Sequence, residues 1–384
     1  MTARRLTIQV ALASLLLPVC LVLSSGRMIK AGGRLQSSDQ QRPQKKDEKK
    51  VEPFSIRKLT QGLGLHQFGP VSPDGHWILL IGQKPDRAPN LYRMSLSDYT
   101  VRPPLTNMRW GVADPVWSPS GDRIAFAGFD DTASFSEIYT LNLSDDSVQR
   151  LTRNNFTDKE PVFTPDGKRL LYTTDESPLP DAAFGILHVV SLPITGGKPE
   201  VFTEDEGSSI LPGVAADGRS ALVVRVSEDS GRQSLWEYGF DGKPRRCLTG
   251  ERFARIHSYI PVASTGLIVL WAQEQPEQED EILLLDPKSG EVHELPEPDL
   301  HKRRPAVSPN GKLISFIGLS ESEAAHLYLY DSTTGQIQQL TQKGFNTQPG
   351  VFVSNELILF GSDREGGREA CLVDLSQPCC KKQK

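Results

Sequence analysis

The sequence predicts an all-β fold, a seven-bladed β-propeller of four-stranded antiparallel blades. It is closed by an N-terminal strand that joins the C-terminal blade. Three observations predict it. A tight-turn signature recurs at a nearly constant period. Each period holds four short β-type segments. An extra copy of the fourth segment stands ahead of the first period, and the last period lacks one.

The turn copies are Ser72-Pro73-Asp74-Gly75, Ser118-Pro119-Ser120-Gly121, Thr164-Pro165-Asp166-Gly167 and Ala215-Ala216-Asp217-Gly218. Weaker ones follow at Ala263-Ser264-Thr265-Gly266 and Ser308-Pro309-Asn310-Gly311, with a degenerate one at Val353-Ser354-Asn355-Glu356. Their spacings are 46, 46, 51, 48, 45 and about 44 residues, the period of a propeller blade. Proline pre-sets φ at the first corner, and Asp-Gly or Asn-Gly supplies a left-handed residue at low cost.

Apolar runs such as Pro115-Val116-Trp117 and Arg123-Ile124-Ala125-Phe126-Ala127 flank each turn and form the first two strands. Third strands read as Asn90–Met94, Glu137–Leu141, Leu235–Tyr238, Glu281–Leu285 and His326–Tyr330. The fourth ends in Leu-Thr, at Leu105-Thr106, Leu151-Thr152, Leu248-Thr249 and Leu340-Thr341, with Phe202-Thr203 and Leu295-Pro296 as variants. The orphan copy is Ile56-Arg57-Lys58-Leu59-Thr60, so residues 54–61 are expected to complete the C-terminal sheet and remove an open edge. Six blades is the alternative, if the repeat around Ala263 is an insertion.

The run from Pro115 to Phe126, and Ser362-Asp363-Arg364-Glu365-Gly366-Gly367 leading to Cys371, resemble the TolB-like, WD40-like (PD40) propellers. The resemblance covers about residues 54–376. It implies the fold and leaves function open, because such propellers serve as adaptors, peptidase partners and a few enzymes. TolB carries an α/β domain before its propeller. Here a signal and a short tether stand there, so the expectation is a relative other than TolB itself.

Domain boundaries follow from composition. Residues 1–26 read as an export signal or membrane anchor: Arg4 and Arg5, an apolar stretch over residues 6–23, then Ser24, Ser25 and Gly26. Residues 27–53 are a charged linker too polar to fold alone. Residues 54–376 are the propeller, and 377–384 a Lys- and Cys-rich tail. Residues 1–52 hold 10 Lys and Arg against 4 Asp and Glu, and the remainder 33 against 44. That acidic surplus excludes nucleic acid as a partner by repulsion of phosphate. Of five cysteines, Cys247 and Cys371 are expected to be buried strand residues, Cys20 lies in the signal, and Cys379 and Cys380 lie in the tail. No Cys/His spacing indicates zinc.

No Gly-x-Ser-x-Gly elbow, P-loop or dinucleotide motif occurs, so no catalytic residue is assigned and no cofactor is expected. Some propeller lyases of this repeat type hold a metal with histidines at the channel mouth. The weak candidates here are His66 and His257, nine residues before their turn glycines, and His301, ten before its own. The residue seven before each turn glycine is expected to face the channel. That places Phe68, Asp114, Glu160, Leu211, Tyr259 and Arg304 there, with Gln348 as the seventh, a mixed set suited to a peptide or sugar. The competing reading is that these groups tie neighbouring blades together. Trp110, in a connecting loop, is the best tryptophan for a binding surface.

The sequence therefore reads as an exported, non-enzymatic, monomeric scaffold of the cell envelope, periplasmic or extracellular, which binds a protein or peptide. Residues 6–23 are a membrane tether if uncleaved. The alternatives are a metal-dependent carbohydrate-active lyase and an accessory propeller of a peptidase system.

Overall fold

The structure, a computed structural model, describes residues 53–129, 134–176, 186–204, 207–297, 300–319, 325–342, 348–363 and 367–378. These residues form seven antiparallel sheets and no helix. Six sheets have four strands. In blade 2, for example, Gly111–Trp117, Arg123–Phe129, Glu137–Asn142 and Ser147–Arg150 pair in chain order. First strands pack against first strands at six of the seven junctions, including blade 7 against blade 1, and between blades 4 and 5 the Tyr259 hydroxyl bridges to Leu211 O. The first strands therefore surround the axis, and the fourth strands lie outermost.

The sequence accounts for this at three levels. At the first hairpin, Ser72 Oγ donates to Asp74 Oδ1 (2.5 Å) and accepts the Trp77 N–H (2.9 Å), while Gly75 takes φ 74°. At the far end of the blade, the Leu-Thr signature acts as a clasp. The hydroxyls of Thr106, Thr152, Thr203, Thr249, Thr341 and Thr60 each accept a backbone N–H from the second or third residue of a third strand, at 2.9–3.2 Å. Between blades, apolar side chains of alternating strand positions fill seven layers, one at each junction. The core is thus built from blade faces that cannot be buried alone.

Closure is as the orphan copy predicts. Phe54–Lys58 pairs antiparallel with Glu369–Pro378 as the outermost strand of blade 7. Thr60 clasps the Ala370 N–H and donates to Glu369 Oε2 at 2.6 Å. Seven blades, not six, are present, and the repeat around Ala263 is an ordinary blade of Arg255–Pro261, Ile268–Gln273, Glu281–Leu285 and Val292–Glu294.

Three details differ from expectation. Blade 1 has three strands; its fourth segment keeps one bridge, Met94 to Val101, because Pro103 and Pro104 have no N–H to extend a ladder. The last strand runs to Pro378, two residues beyond the boundary drawn at 376. Cys371 is buried, but Cys247 is exposed, because all four residues of the short outermost strand Pro244–Cys247 face solvent.

Candidate binding face and axial channel

The first strands are irregular where the sequence placed channel residues. Pairing with the second strand is interrupted between Ala113 and Val116, at the equivalent residues of blade 3 opposite Leu171 and Thr173, between Ile210 and Gly213, and between Arg303 and Ala306. At these bulges Asp114, Glu160, Leu211 and Arg304 have φ of 50°, 58°, 52° and 53°. A left-handed bulge residue re-aims its side chain, and the proline after each suits a place where no ladder N–H is needed.

The side chains so aimed tie one blade to the next. Asp114 Oδ2 accepts the Glu160 N–H at 3.2 Å. Glu160 Oε2 accepts the Leu211 N–H at 3.0 Å and the Thr173 hydroxyl at 2.8 Å, and Lys159 Nζ lies 3.3 Å from Oε1. The Tyr259 hydroxyl donates to Leu211 O (2.7 Å) and lies 2.9 Å from Leu222 O. Gly213 leaves it room, since a Cβ there would stand 2.5 Å from that hydroxyl. Blades 2 to 5 are thus linked in series around the axis. Burial, then the Glu160 charge, pushes the Asp114 carboxyl up to about 6. Burial raises the Tyr259 phenol. Arg304 is exposed to solvent, yet the protein around it and Arg303 lower its guanidinium from the usual range.

Phe68 departs from the set. It is buried, packed in the layer between blades 7 and 1, because it keeps its pairing with Leu80, and the two irregularities of its strand fall before Gln67 and after Phe68, at Gly69 and Pro70. The histidines are each taken by a partner of their own. His66 Nε2 is 2.7 Å from Gln83 Oε1. His257 Nε2 is 2.8 Å from Asp280 Oδ1, and its ring stacks on Trp271 at 4.3 Å. His301 Nδ1 is 2.9 Å from Glu279 Oε2. Among the described residues no group of three or more His, Cys, Asp or Glu side chains is gathered as a metal site.

Second-to-third-strand hairpins and blade-to-blade connections emerge at one end of the propeller, opposite the repeated turns. At that end Trp110 is 47% exposed and Phe135 is 40% exposed. Trp110 precedes the first strand of blade 2, and its N–H donates to Phe129 O at 2.8 Å. Phe135 lies in the hairpin of the same blade. The Arg109 guanidinium stands 5.3 Å from the Trp110 ring centroid. The sequence marked Trp110. Phe135 escaped notice because it stands beside a third strand whose aromatic residue, Tyr139, is core.

A ring of meandering four-stranded sheets with a polar, cross-linked axis and an aromatic-bearing end defines the class: a β-propeller whose repeats present loops from a rigid frame. Residues 72–288 match the PD40 family, the TolB beta propeller domain, and the chain belongs to that family. Dipeptidyl-peptidase 5 of Porphyromonas gingivalis is 25% identical over 188 residues, which are 47% of this chain and 26% of that protein. The chain thus spans about a quarter of that curated relative. Among solved structures, oligogalacturonate lyase from Vibrio parahaemolyticus superposes with a TM-score of 0.63 at 15% identity, over 84% of this chain and 93% of that one. The β-propeller domain of the Trilobed protease from Pyrococcus furiosus, described as having an open velcro topology, superposes at 0.58 and 14% identity, over 82% and 96%. Both are likenesses of fold.

Proposed function

We infer that this protein is an exported, non-enzymatic scaffold that binds a protein or peptide partner in the cell envelope through the loop-bearing end of its propeller. The observation that carries this is the exposed Trp110 and Phe135 pair on blade 2, with Arg109 against the indole. Large aromatic side chains held by a rigid sheet are efficient anchors, because little side-chain entropy is lost on docking. The channel carboxylates lend themselves less to chemistry, since Asp114 and Glu160 each accept an N–H of the next blade. Export rests on the basic and apolar leader of residues 1–26, which lies outside the described residues. Among the described residues no helix is long and apolar enough to cross a membrane.

The test is capture from the native envelope fraction with the mature protein and with its Trp110→Ala, Phe135→Ala variant. A partner retained by the former and reduced at least tenfold by the latter is expected. Equal capture by both would remove the face from the argument. One refinement has its own support: the curated relative is a peptidase, which favours a peptidase as the partner. Labelling the captured fraction with a serine-hydrolase probe decides it.

A further inference from the structure

Blade 4 carries a cavity of about 370 Å³ at the loop-bearing end, far in sequence from Trp110. Its wall includes Arg225, Ser234 and Trp236 from the sheet, Glu228 and Asp229 from the hairpin, and Cys247 and Glu251 from the fourth strand and the connection after it. The charges are unequal, one arginine against three carboxylates. Arg225 lies on the indole of Trp236, 4.4 Å from its centroid. The Trp236 indole N–H donates to Ser234 Oγ at 2.9 Å and so fixes the ring. Glu251 Oε2 accepts the Ser230 hydroxyl at 2.9 Å, while Glu228 and Asp229, both exposed, make no side-chain hydrogen bond or ion pair among the described residues. An anion entering this space meets three like charges, and a neutral apolar group would displace water from them without replacing its hydrogen bonds. A cation with an apolar stem meets both needs: its head satisfies Glu228 and Asp229, and its stem lies beside the Trp236 indole.

We propose that this cavity is a subsite for a basic side chain, lysine or arginine, of a bound peptide. It rests on the reading of the propeller as a peptide-binding scaffold and names one chemical feature of the peptide. Cys247 supplies a reporter, because its thiol is exposed on the cavity wall, where Sγ accepts the Gly250 N–H at 3.1 Å. A peptide seated there covers it.

The experiment measures the alkylation rate of Cys247 in the full chain by mass spectrometry, with acetyl-triarginine amide or acetyl-triglutamate amide added. Triarginine is expected to slow alkylation at least fivefold at saturation, and triglutamate to leave it unchanged. Glu228→Gln with Asp229→Asn should raise the half-protecting concentration at least tenfold. Asp86→Asn with Asp146→Asn removes the same charge from blades 1 and 2 and should leave it unchanged; both residues have positive φ, which asparagine tolerates. Absence of protection, protection by triglutamate, or equal weakening by the two double variants each overturns the subsite. The last outcome would reduce the effect to the attraction of an acidic protein for any cation. Partner capture that depends on Trp110 would survive all three, so the failure of this subsite is distinguishable from the failure of the scaffold reading.

Discussion

The joints between blades 2 and 3 and between blades 5 and 6 use the same two positions of the repeat and fill them in opposite ways. At each joint a glutamate heads the third strand of one blade, Glu137 or Glu281. A residue nine before the turn glycine of the next blade reaches it, Asp158 or Lys302. Between blades 5 and 6 this is an ion pair. Lys302, fully buried, places Nζ 2.9 Å from Glu281 Oε2. Between blades 2 and 3 it is a pair of acids, with Asp158 fully buried and Glu137 nearly so. Asn154 spans them, donating its amide to Asp158 Oδ2 (3.1 Å) and its backbone N–H to Glu137 Oε1 (2.8 Å), and Arg150 Nη2 also meets Glu137 Oε1 at 2.8 Å. Asp158 Oδ1 and Glu137 Oε2 are buried with no hydrogen-bond partner among the described residues. Burial pushes the Asp158 carboxyl up to about 7. One joint sets a lysine against its glutamate; the other buries an aspartate beside a glutamate that is itself paired with Arg150. A repeat fixes where two side chains meet and leaves open how their charge is balanced.

That contrast can be broken most strongly at Lys302. Lys302→Ala leaves Glu281 facing an empty, buried slot and is expected to lower stability by about 3 kcal/mol, measured by urea unfolding. Lys302→Met with Glu281→Gln removes both charges and should restore most of the loss. If the single and double variants are equally unstable, packing and not pairing holds that joint.

The acid joint should respond to pH instead. An aspartate whose folded pKa lies above its unfolded value binds more protons folded than unfolded between the two. Its contribution therefore falls as pH rises from about 4 to about 7 and is constant above. Asp114, pushed up to about 6, adds a smaller effect of the same sign. Asp158→Asn mimics the protonated acid. It should stabilise the protein by about 2 kcal/mol at pH 8 and by close to nothing at pH 4.5, read as the difference in urea midpoint. A gain equal at both pH values would show that Asp158 is not titrating.

The smallest effect concerns the clasp. Six blades have a threonine hydroxyl at the end of the third strand, and blade 5 has Pro296 after Leu295. Pro296→Thr should supply the missing acceptor for the Ile282 N–H and add about 0.5–1 kcal/mol. Thr341→Val should cost about 1 kcal/mol or slightly more, because the Leu327 N–H it serves is buried. Thermal unfolding of both variants checks the pair.

Much of the frame was legible. The Ser-Pro-Asp-Gly copies act locally, through proline φ and a left-handed glycine, so their spacing translated directly into blades. Ile56 to Thr60 was legible as a closing strand because it repeats a Leu-Thr pattern whose chemistry is also local. The site was less so. Counting seven residues back from the turn found the four left-handed bulge residues Asp114, Glu160, Leu211 and Arg304 but misplaced Phe68, since one residue of slip in an irregular strand turns a side chain from axis to core. Cys247 looked apolar in the sequence and is exposed, because a strand's composition does not say which strand is outermost.

The amino-acid sequence by itself determined the strand order within a blade and, through the orphan copy of the fourth segment, which strand closes the circle, because turns and patterns that repeat about every fifty residues act locally; seven blades in place of six came from the structure. Only the tertiary structure decided which charges meet. Lys302 and Glu281, Asp158 and Glu137, and Glu160 and Leu211 come from different blades, and what each costs or contributes is set by the water that neighbouring blades exclude.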